Sequence, residues 1–193
     1  MSQVEPRVLV NRHSGERLTL RRVKRDGEIW LEVIGTTPPK QPGPPMHVHL
    51  AEIEDVNVGR GILSAIVDGK QLTAGAGESA VFPAGVAHRW WNGHDEPLEL
   101  AGYARPVVDL DVYLQAIFEI INAGPAERPP LFYMAHAVWR HRNTQQLAIG
   151  PAWVQSIWFP AIVAMGRVLG KYQGTDWPGC PERCTPAPFC PES

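Results

Sequence analysis

The sequence predicts a mainly β fold, a barrel of two packed antiparallel sheets, followed by an α-helical C-terminal extension. Apolar side chains alternate along residues 28–34, and large apolar residues on the opposite face indicate that both faces are covered. Asp68-Gly69 lies between two apolar segments, which is typical of a tight β-hairpin. From Val108 onward, apolar residues recur at helical spacing instead.

Short strands separated by turn residues are predicted along the first half of the chain. They cover residues 7–10, 17–23, 28–34, 62–67, 71–73, 79–82, 86–91 and 98–104. The proline-rich segment 37–45 cannot pair as a central strand, because proline lacks the N–H donor. We interpret this segment as a stiff loop that delivers His47 to the mouth of the barrel.

Length and charge narrow the class of protein. A chain of 193 residues is long enough for one barrel with a core and an extension. The formal net charge of -2 provides no basic field, so a nucleic-acid partner is not expected. Residues 1–6 lack the apolar core of a signal peptide, which makes a cytoplasmic location the default expectation.

Three histidines and two glutamates form the candidate site. His47 and His49 are two residues apart, so both imidazoles leave the same face of a strand. Glu52 and Glu54 follow closely, and His88 comes after a Pro-Ala-Gly turn. Imidazoles and a carboxylate that share one space can hold a divalent metal. Glu54 is at an odd offset from His49, so a turn must return it to the histidine face, and Glu52 is the competing carboxylate.

The region around the third histidine resembles a motif of the cupin family, G(X)5PXG(X)2H(X)3N. Every specified position of that motif is matched, by Gly77, Pro83, Gly85, His88 and Asn92. Matching five positions at fixed spacing is a specific signal for the fold and the metal site, and a weak one for the substrate.

The region around the first two histidines resembles the other cupin motif, G(X)5HXH(X)3-4E(X)6G. His47, His49, Glu54 and Gly61 match it. Only the leading glycine departs, because three residues rather than five separate Gly43 from His47. That departure concerns a turn and not a ligand.

The resemblance covers about residues 15–106 and implies a double-stranded β-helix (jelly-roll) barrel. It also implies one divalent metal and a set of four ligands, His47, His49, Glu54 and His88. Glu54 is favoured over Glu52, because only Glu54 has the motif's spacing to Gly61. These ligands suit Fe, Mn, Ni, Co or Zn.

Two function classes stay open. One is a metal-dependent enzyme, either a dioxygenase or an isomerase, that acts on a small oxygenated molecule. The other is a non-catalytic protein that binds or senses a small molecule in the same pocket. Catalytic residues beyond the metal ligands are not identified by the sequence, and fold alone does not choose between these classes.

Two further residues are candidates for the substrate pocket. Trp90 shares the strand face of His88, so it is expected either to form a pocket wall or to pack in the core. Arg60 falls on the alternate face shared with Glu54. Unless a bulge intervenes, Arg60 points inward, where it would pair with a substrate carboxylate, and the alternative is a solvated arginine at the rim.

The barrel is assigned to residues 1–107 and three helices to residues 108–173. The first helix carries an apolar stripe that needs a cover, formed by Leu110, Leu114, Ile117, Phe118 and Ile121. We expect the barrel or a second subunit to provide that cover, which predicts a homodimer. The uncharged segment 147–166 is long enough to cross a bilayer, but its Gly, Pro, Gln and Ser residues favour a helix packed on the barrel or in a dimer, with shallow membrane contact as the alternative.

Residues 174–193 are rich in proline and contain all three cysteines, Cys180, Cys184 and Cys190. The cysteines lack the paired CxxC spacing of a zinc site. We therefore expect reduced thiols in a disordered tail, and no second metal site.

Overall fold

The structure, a computed structural model, describes residues 5–125 and 129–190. Its strands, in chain order, are β1 (Arg7–Val10), β2 (Arg17–Arg25), β3 (Glu28–Thr37), β4 (His47–His49), β5 (Ile53–Arg60), β6 (Ile62–Val67), β7 (Lys70–Gly75), β8 (Ser79–Phe82), β9 (His88–Trp91), β10 (Leu98–Arg105), β11 (Gln145–Leu147) and β12 (Phe189–Cys190). Its helices are α1 (Leu110–Asn122), α2 (Leu131–Arg140) and α3 (Ala152–Val168). The predicted mainly β fold with a helical extension is confirmed.

Two sheets form the barrel. The larger sheet has the order β1-β2-β3-β10-β5-β8, with β12 added beside β2. The smaller sheet has the order β11-β4-β9-β6-β7. Pairing is antiparallel except between β12 and β2. Two strands, β11 and β12, come from segments where no strand is predicted from the sequence.

The β6–β7 hairpin forms as the Asp68-Gly69 pair predicts. Both residues have positive φ angles, 50° for Asp68 and 71° for Gly69. A two-residue turn of this kind matches the right-handed twist of the strands that it joins. Leu63 and Ala65 on β6 are fully buried, so the hairpin also contributes to the interior of the barrel.

Asn92 fastens the proline-rich loop that leads to β4. This side chain is completely buried, and its Nδ2 donates to the carbonyl oxygens of Thr37, Pro38 and Glu96 at 3.2, 3.0 and 2.8 Å. Its Oδ1 accepts from the backbone N–H of His94 at 3.1 Å. The start of the loop is thereby held against the end of β9, which helps to set the path of the chain toward the first two histidines.

Helix α1 packs against the larger sheet. Leu110 and Phe118 are buried in one apolar cluster with Leu20 and Leu31 of the larger sheet. Burying an apolar side chain of this size contributes roughly 1.5–3 kcal/mol before conformational entropy is subtracted. The barrel itself therefore provides part of the cover that the apolar stripe of α1 needs.

The tail, described from residue 174 to residue 190, is ordered, although its composition predicts disorder. Trp177, Cys180 and Cys184 are buried, and β12 pairs with β2 along Arg22 and Val23. Proline and polar residues dominate the composition of this segment, but Cys184 packs with apolar side chains of α1 and α2, and Trp177 stacks on Tyr133 of α2. The expectation for the described part of this segment, up to Cys190, is therefore wrong.

Helix α3 leaves large apolar side chains exposed, among them Trp153, Ile157, Trp158 and Val168. Within the part of the chain that the structure describes, none of the helices combines the length and the apolar character that spanning a bilayer requires. A homodimer and membrane contact through 147–166 stay predictions.

Candidate metal centre

Three imidazoles converge inside the barrel. β4 supplies His47 and His49, and β9, which pairs with β4 at His47, supplies His88. One ring nitrogen from each histidine lies within 4.8 Å of the others. The Nε2 atoms of His47 and His49 are 3.1 Å apart. The three histidines form a single cluster because β4 and β9 are neighbours in the smaller sheet.

The other nitrogen of each ring is bonded to an oxygen. The Nδ1 atoms of His47 and His88 donate to the carbonyl oxygens of Pro45 and Val86 at 2.8 and 2.9 Å. Nδ1 of His49 donates to Oε1 of Gln145. Because each of these partners is an acceptor, Nδ1 carries the proton in the neutral ring. The Nε2 lone pairs are therefore directed at one another.

Glu54 is the carboxylate beside these nitrogens. Its Oε2 lies 3.5 Å from Nε2 of His49 and 3.8 Å from Nε2 of His88. Burial by itself would raise the pKa of this carboxyl, but the charge and hydrogen bond of His49, with the other two imidazoles, lower it to about 2. Glu54 is therefore ionised at neutral pH.

The histidines differ in basicity. Burial and the charges of its two neighbours lower the pKa of His47 to about 4, and burial also lowers the pKa of His88. Burial would lower the pKa of His49 too, but the charge and hydrogen bond of Glu54 outweigh it and raise this pKa. Two neutral imidazoles and an ionised carboxylate are the protonation states that metal ligands require.

The residues fit a divalent metal. Ligand atoms about 2.0–2.1 Å from one ion lie roughly 2.8–3.4 Å from each other at octahedral or tetrahedral angles, a range that includes the spacing of the first two Nε2 atoms. Nε2 of His88 is buried and has no hydrogen-bond partner among the described residues. A buried, unpaired nitrogen is costly unless something binds it. Three imidazoles and a carboxylate suit several first-row metals, and their arrangement does not distinguish among these.

Glu52, the competing carboxylate, has a structural function. Its side chain is 1 % exposed, and its Oε1 accepts from the backbone N–H groups of Val108 and Leu110 at 3.0 and 3.3 Å. Oε2 accepts from Nε2 of Gln145 at 2.6 Å. Burial raises the pKa of Glu52, which these hydrogen bonds oppose. The carboxylate satisfies N–H groups at the start of α1 that have no partner within the helix.

Gln145 is a site residue that the sequence analysis misses. It lies on β11, opposite His49, and joins that imidazole to Glu52 through its amide group. Because the carboxylate of Glu52 can only accept, Nε2 of the amide must face it and Oε1 must face His49. No local motif marks a glutamine that is 96 positions away from its histidine.

Replacement of Gln145 by leucine is expected to weaken metal binding about 10- to 100-fold, the usual effect of losing a partner that orients a ligating histidine. His49 would lose its acceptor, and its ring would no longer be held in one orientation. Competition titration of the metal-free protein with a coloured chelator measures the change. Gln146→Leu alters the exposed neighbour and should leave the affinity unchanged; equal losses in the two variants would contradict this interpretation.

Metal affinity is expected to rise with pH. His49 is protonated below its raised pKa, so below that value the metal must displace this proton. Each pH unit in that range should change the apparent affinity about tenfold, and the dependence should level off above it. Titrations with Zn²⁺ at a series of pH values measure the slope, and an affinity that stays constant across the neutral range would contradict the assignment.

The metal site opens into a cavity of about 340 Å³ between the larger sheet, the proline-rich loop, α1 and β11. This volume is within the range of small-molecule pockets. The walls are mostly apolar and include Val33, Leu100, Leu114 and Phe118. Trp90 lines the cavity and also packs against the apolar core, so the two expectations for it are compatible. Among the described lining residues there is neither lysine nor arginine.

Arg60 does not line the cavity. Its register partner is Glu99, whereas Val58 pairs with the adjacent Leu100, so β5 has a bulge at Gly59. The extra residue turns Arg60 outward, where it pairs with Glu96 at 2.9 Å. Both side chains of this pair are more than half exposed, with values of 57% and 68%. Of the two alternatives for Arg60, the structure therefore has the solvated arginine at the rim and not the inward one.

Comparisons with known proteins found several chains similar to parts of this one. An oxidoreductase, iacF, from Pestalotiopsis fici is 33% identical over 79 residues, a match that spans 39% of this chain and 39% of that protein. A sugar phosphate isomerase of the cupin superfamily from Silicibacter pomeroyi has a TM-score of 0.40 and 22% identity, covering 48% of this chain and 60% of that chain. KdgF from Halomonas sp. has a TM-score of 0.40 and 15% identity, covering 48% and 83%.

The family comparison concerns the barrel itself. The model of the cupin domain matches residues 33–112, which include His47, His49, Glu54 and His88. The matched segment contains the three clustered histidines and strands β4 to β10, which belong to both sheets. Residues 33–112 therefore match a cupin domain, and this segment contains all four candidate ligands.

Proposed function

We propose that this protein is a metal-dependent enzyme of the dioxygenase kind that acts on a small, largely apolar, oxygenated molecule. The observation that carries the proposal is the convergence of three Nε2 atoms and the Glu54 carboxylate at a mostly apolar cavity. His47, His49, Glu54 and His88 would hold the ion. A bound divalent metal supplies Lewis acidity and, if it is redox-active, dioxygen chemistry.

The side chains around the site would prepare it for such a reaction. Hydrogen bonds from Nδ1 to oxygen acceptors fix the orientation of the three imidazole rings. The apolar walls of the cavity exclude water. Tyr113 also lines the cavity, and burial raises its pKa to about 12, so its phenol stays protonated and can donate a hydrogen bond. The similarity to a fungal oxidoreductase gives modest support for the reaction class.

The lining also argues against some substrates. A phosphorylated substrate calls for cationic side chains, and the described lining residues provide none. An isomerase needs a proton-transferring group near the metal, and Glu52 is not available because three hydrogen bonds engage it. A non-catalytic binding or sensing protein is the second candidate, favoured by the small number of acid–base groups in the same cavity.

The test is metal analysis of protein purified without a histidine tag, followed by oxygen-uptake screening with the metal restored. Apolar catechols and hydroxyketones are suitable first substrates. We expect oxygen consumption that matches substrate loss and disappears in the His47→Ala/His49→Ala variant. Tight, metal-dependent binding without turnover would favour the binding or sensing function instead.

A further inference from the structure

The cavity extends far beyond the metal site. Glu54 lies in the same row of the larger sheet as Ala104 and Leu31. Glu16 also lines the cavity. Arg17 pairs with Thr36 in the antiparallel register, so the preceding residue, Glu16, lies beside Thr37. Leu31 and Thr37 are six residues apart on one strand, which corresponds to roughly 20 Å.

Helix α1 runs along the same length. Leu110, at its start, is anchored by Glu52 close to the metal site, and Ile121, near its end, accepts a hydrogen bond from the ring of His13. Both Leu110 and Ile121 line the cavity. Side chains of α1 thus border an apolar passage whose two ends are chemically different.

The far end of this passage has a carboxyl group, on Glu16, and a buried hydroxyl group, on Thr37. Thr37 is 1 % exposed, and its Oγ1 has no hydrogen-bond partner within the described residues. Burial raises the pKa of the neighbouring Glu16 carboxyl, and the nearby Thr37 hydroxyl lowers it by a smaller amount. The two groups are close but are not joined by a hydrogen bond of normal geometry. None of the ion pairs between described residues includes Glu16.

We propose that the cavity binds an elongated, largely apolar molecule with an oxygen-bearing group at the histidine end and a hydroxyl or amino group at Glu16 and Thr37. The inference rests on the proposed function for its metal end only. A hydrogen-bond donor on the ligand would satisfy the Glu16 carboxyl, and an accompanying oxygen or nitrogen lone pair would accept from the Thr37 hydroxyl. A second anionic group at this end would have no cationic partner, because the described lining residues include neither lysine nor arginine.

Calorimetric titration of the metal-loaded protein with three probes tests this inference. The probes are dodecanoate, ω-hydroxydodecanoate and ω-aminododecanoate, which share one chain and differ at its far end. We expect at least one ω-substituted probe to bind about tenfold more tightly than dodecanoate, as one added hydrogen bond to a charged group allows. Which of the two binds better identifies the far group as a hydroxyl or an amine.

The preference for the ω-group, expressed as a ratio of affinities, is the quantity to compare among variants. Glu16→Leu should reduce it to about one, and Thr37→Val should reduce it in part. Glu28→Leu, a change at an exposed position on the same sheet, should leave it intact. Because the ratio compares probes on the same variant, a general loss of stability would lower all three affinities and leave the ratio unchanged.

Two results would overturn the inference. One is metal-dependent binding of all three probes with equal affinity, which would leave the proposed function standing. The other is a metal-loaded protein that binds none of them. A protein that takes up no metal would instead overturn the proposed function, and a Glu16-dependent preference measured on that metal-free protein would still support the far end of the site.

Discussion

Replacement of Asp111 by alanine is expected to lower the free energy of unfolding by about 3–5 kcal/mol. Asp111 is completely buried and binds Arg22 through two hydrogen bonds, of 2.8 and 2.9 Å. It also accepts from the backbone N–H of Ala187 at 2.6 Å. One carboxylate thus joins α1, β2 and the tail, and its removal leaves a guanidinium and a buried N–H without their partner. Urea denaturation measures the change.

Asp55→Ala is the matched control for this prediction. Asp55 also pairs with an arginine, Arg105, at 3.1 Å, but the two side chains are 33% and 40% exposed. Exposed ion pairs contribute about 0–1 kcal/mol, so this variant should unfold close to the parent. Equal losses in the two variants would show that burial of the Asp111 pair is not what stabilises the junction.

The His47→Ala/His49→Ala variant is expected to retain almost no metal, whereas the parent protein should bind one ion per chain. Two of the four candidate ligands are lost, and the remaining pair, Glu54 and His88, cannot enclose an ion. The fold should survive, because the buried clusters of the barrel are made of aliphatic and aromatic side chains that neither substitution touches. Elemental analysis gives the stoichiometry, and circular dichroism reports on the fold.

His94→Ala provides the control for this experiment. His94 lies outside the cluster, and the hydrogen bonds recorded for it are made by its backbone, so the substitution preserves them. Full metal occupancy in the double variant would remove the basis for the metal centre. A loss of the same size in the control variant would show that the assay reports on stability rather than on ligation.

Local patterns account for what the sequence predicts correctly. The approximate positions of the strands and the Asp68-Gly69 hairpin follow from alternation and turn chemistry, which involve residues close together in the chain. The odd offset of Glu54 requires a turn after His49, and the chain does leave β4 there before β5 begins. Fixed spacing within two motifs was enough to place the candidate ligands on neighbouring elements.

Contacts between distant segments account for what the sequence does not predict. Arg60 is displaced by a bulge that depends on the register between β5 and β10. Gln145 becomes part of the site only because β11 adds to the edge of β4. The tail is ordered because α1 offers a carboxylate and because β12 pairs with the part of β2 that β1 does not reach. Composition and periodicity contain no information on these pairings, since each joins residues far apart in the chain.

The link between His49 and Gln145 sets an order of events during synthesis of the chain. His49 leaves the ribosome 96 residues before its partner does, which at ordinary rates of translation is a delay of about 5–20 s. During that time the histidines lack the acceptor that orients one ring, and α1 is only partly available to enclose the cavity. A metal ion that binds during this interval meets a His49 ring that Gln145 does not yet orient, whereas the partners of His47 and His88 lie only two residues from their rings.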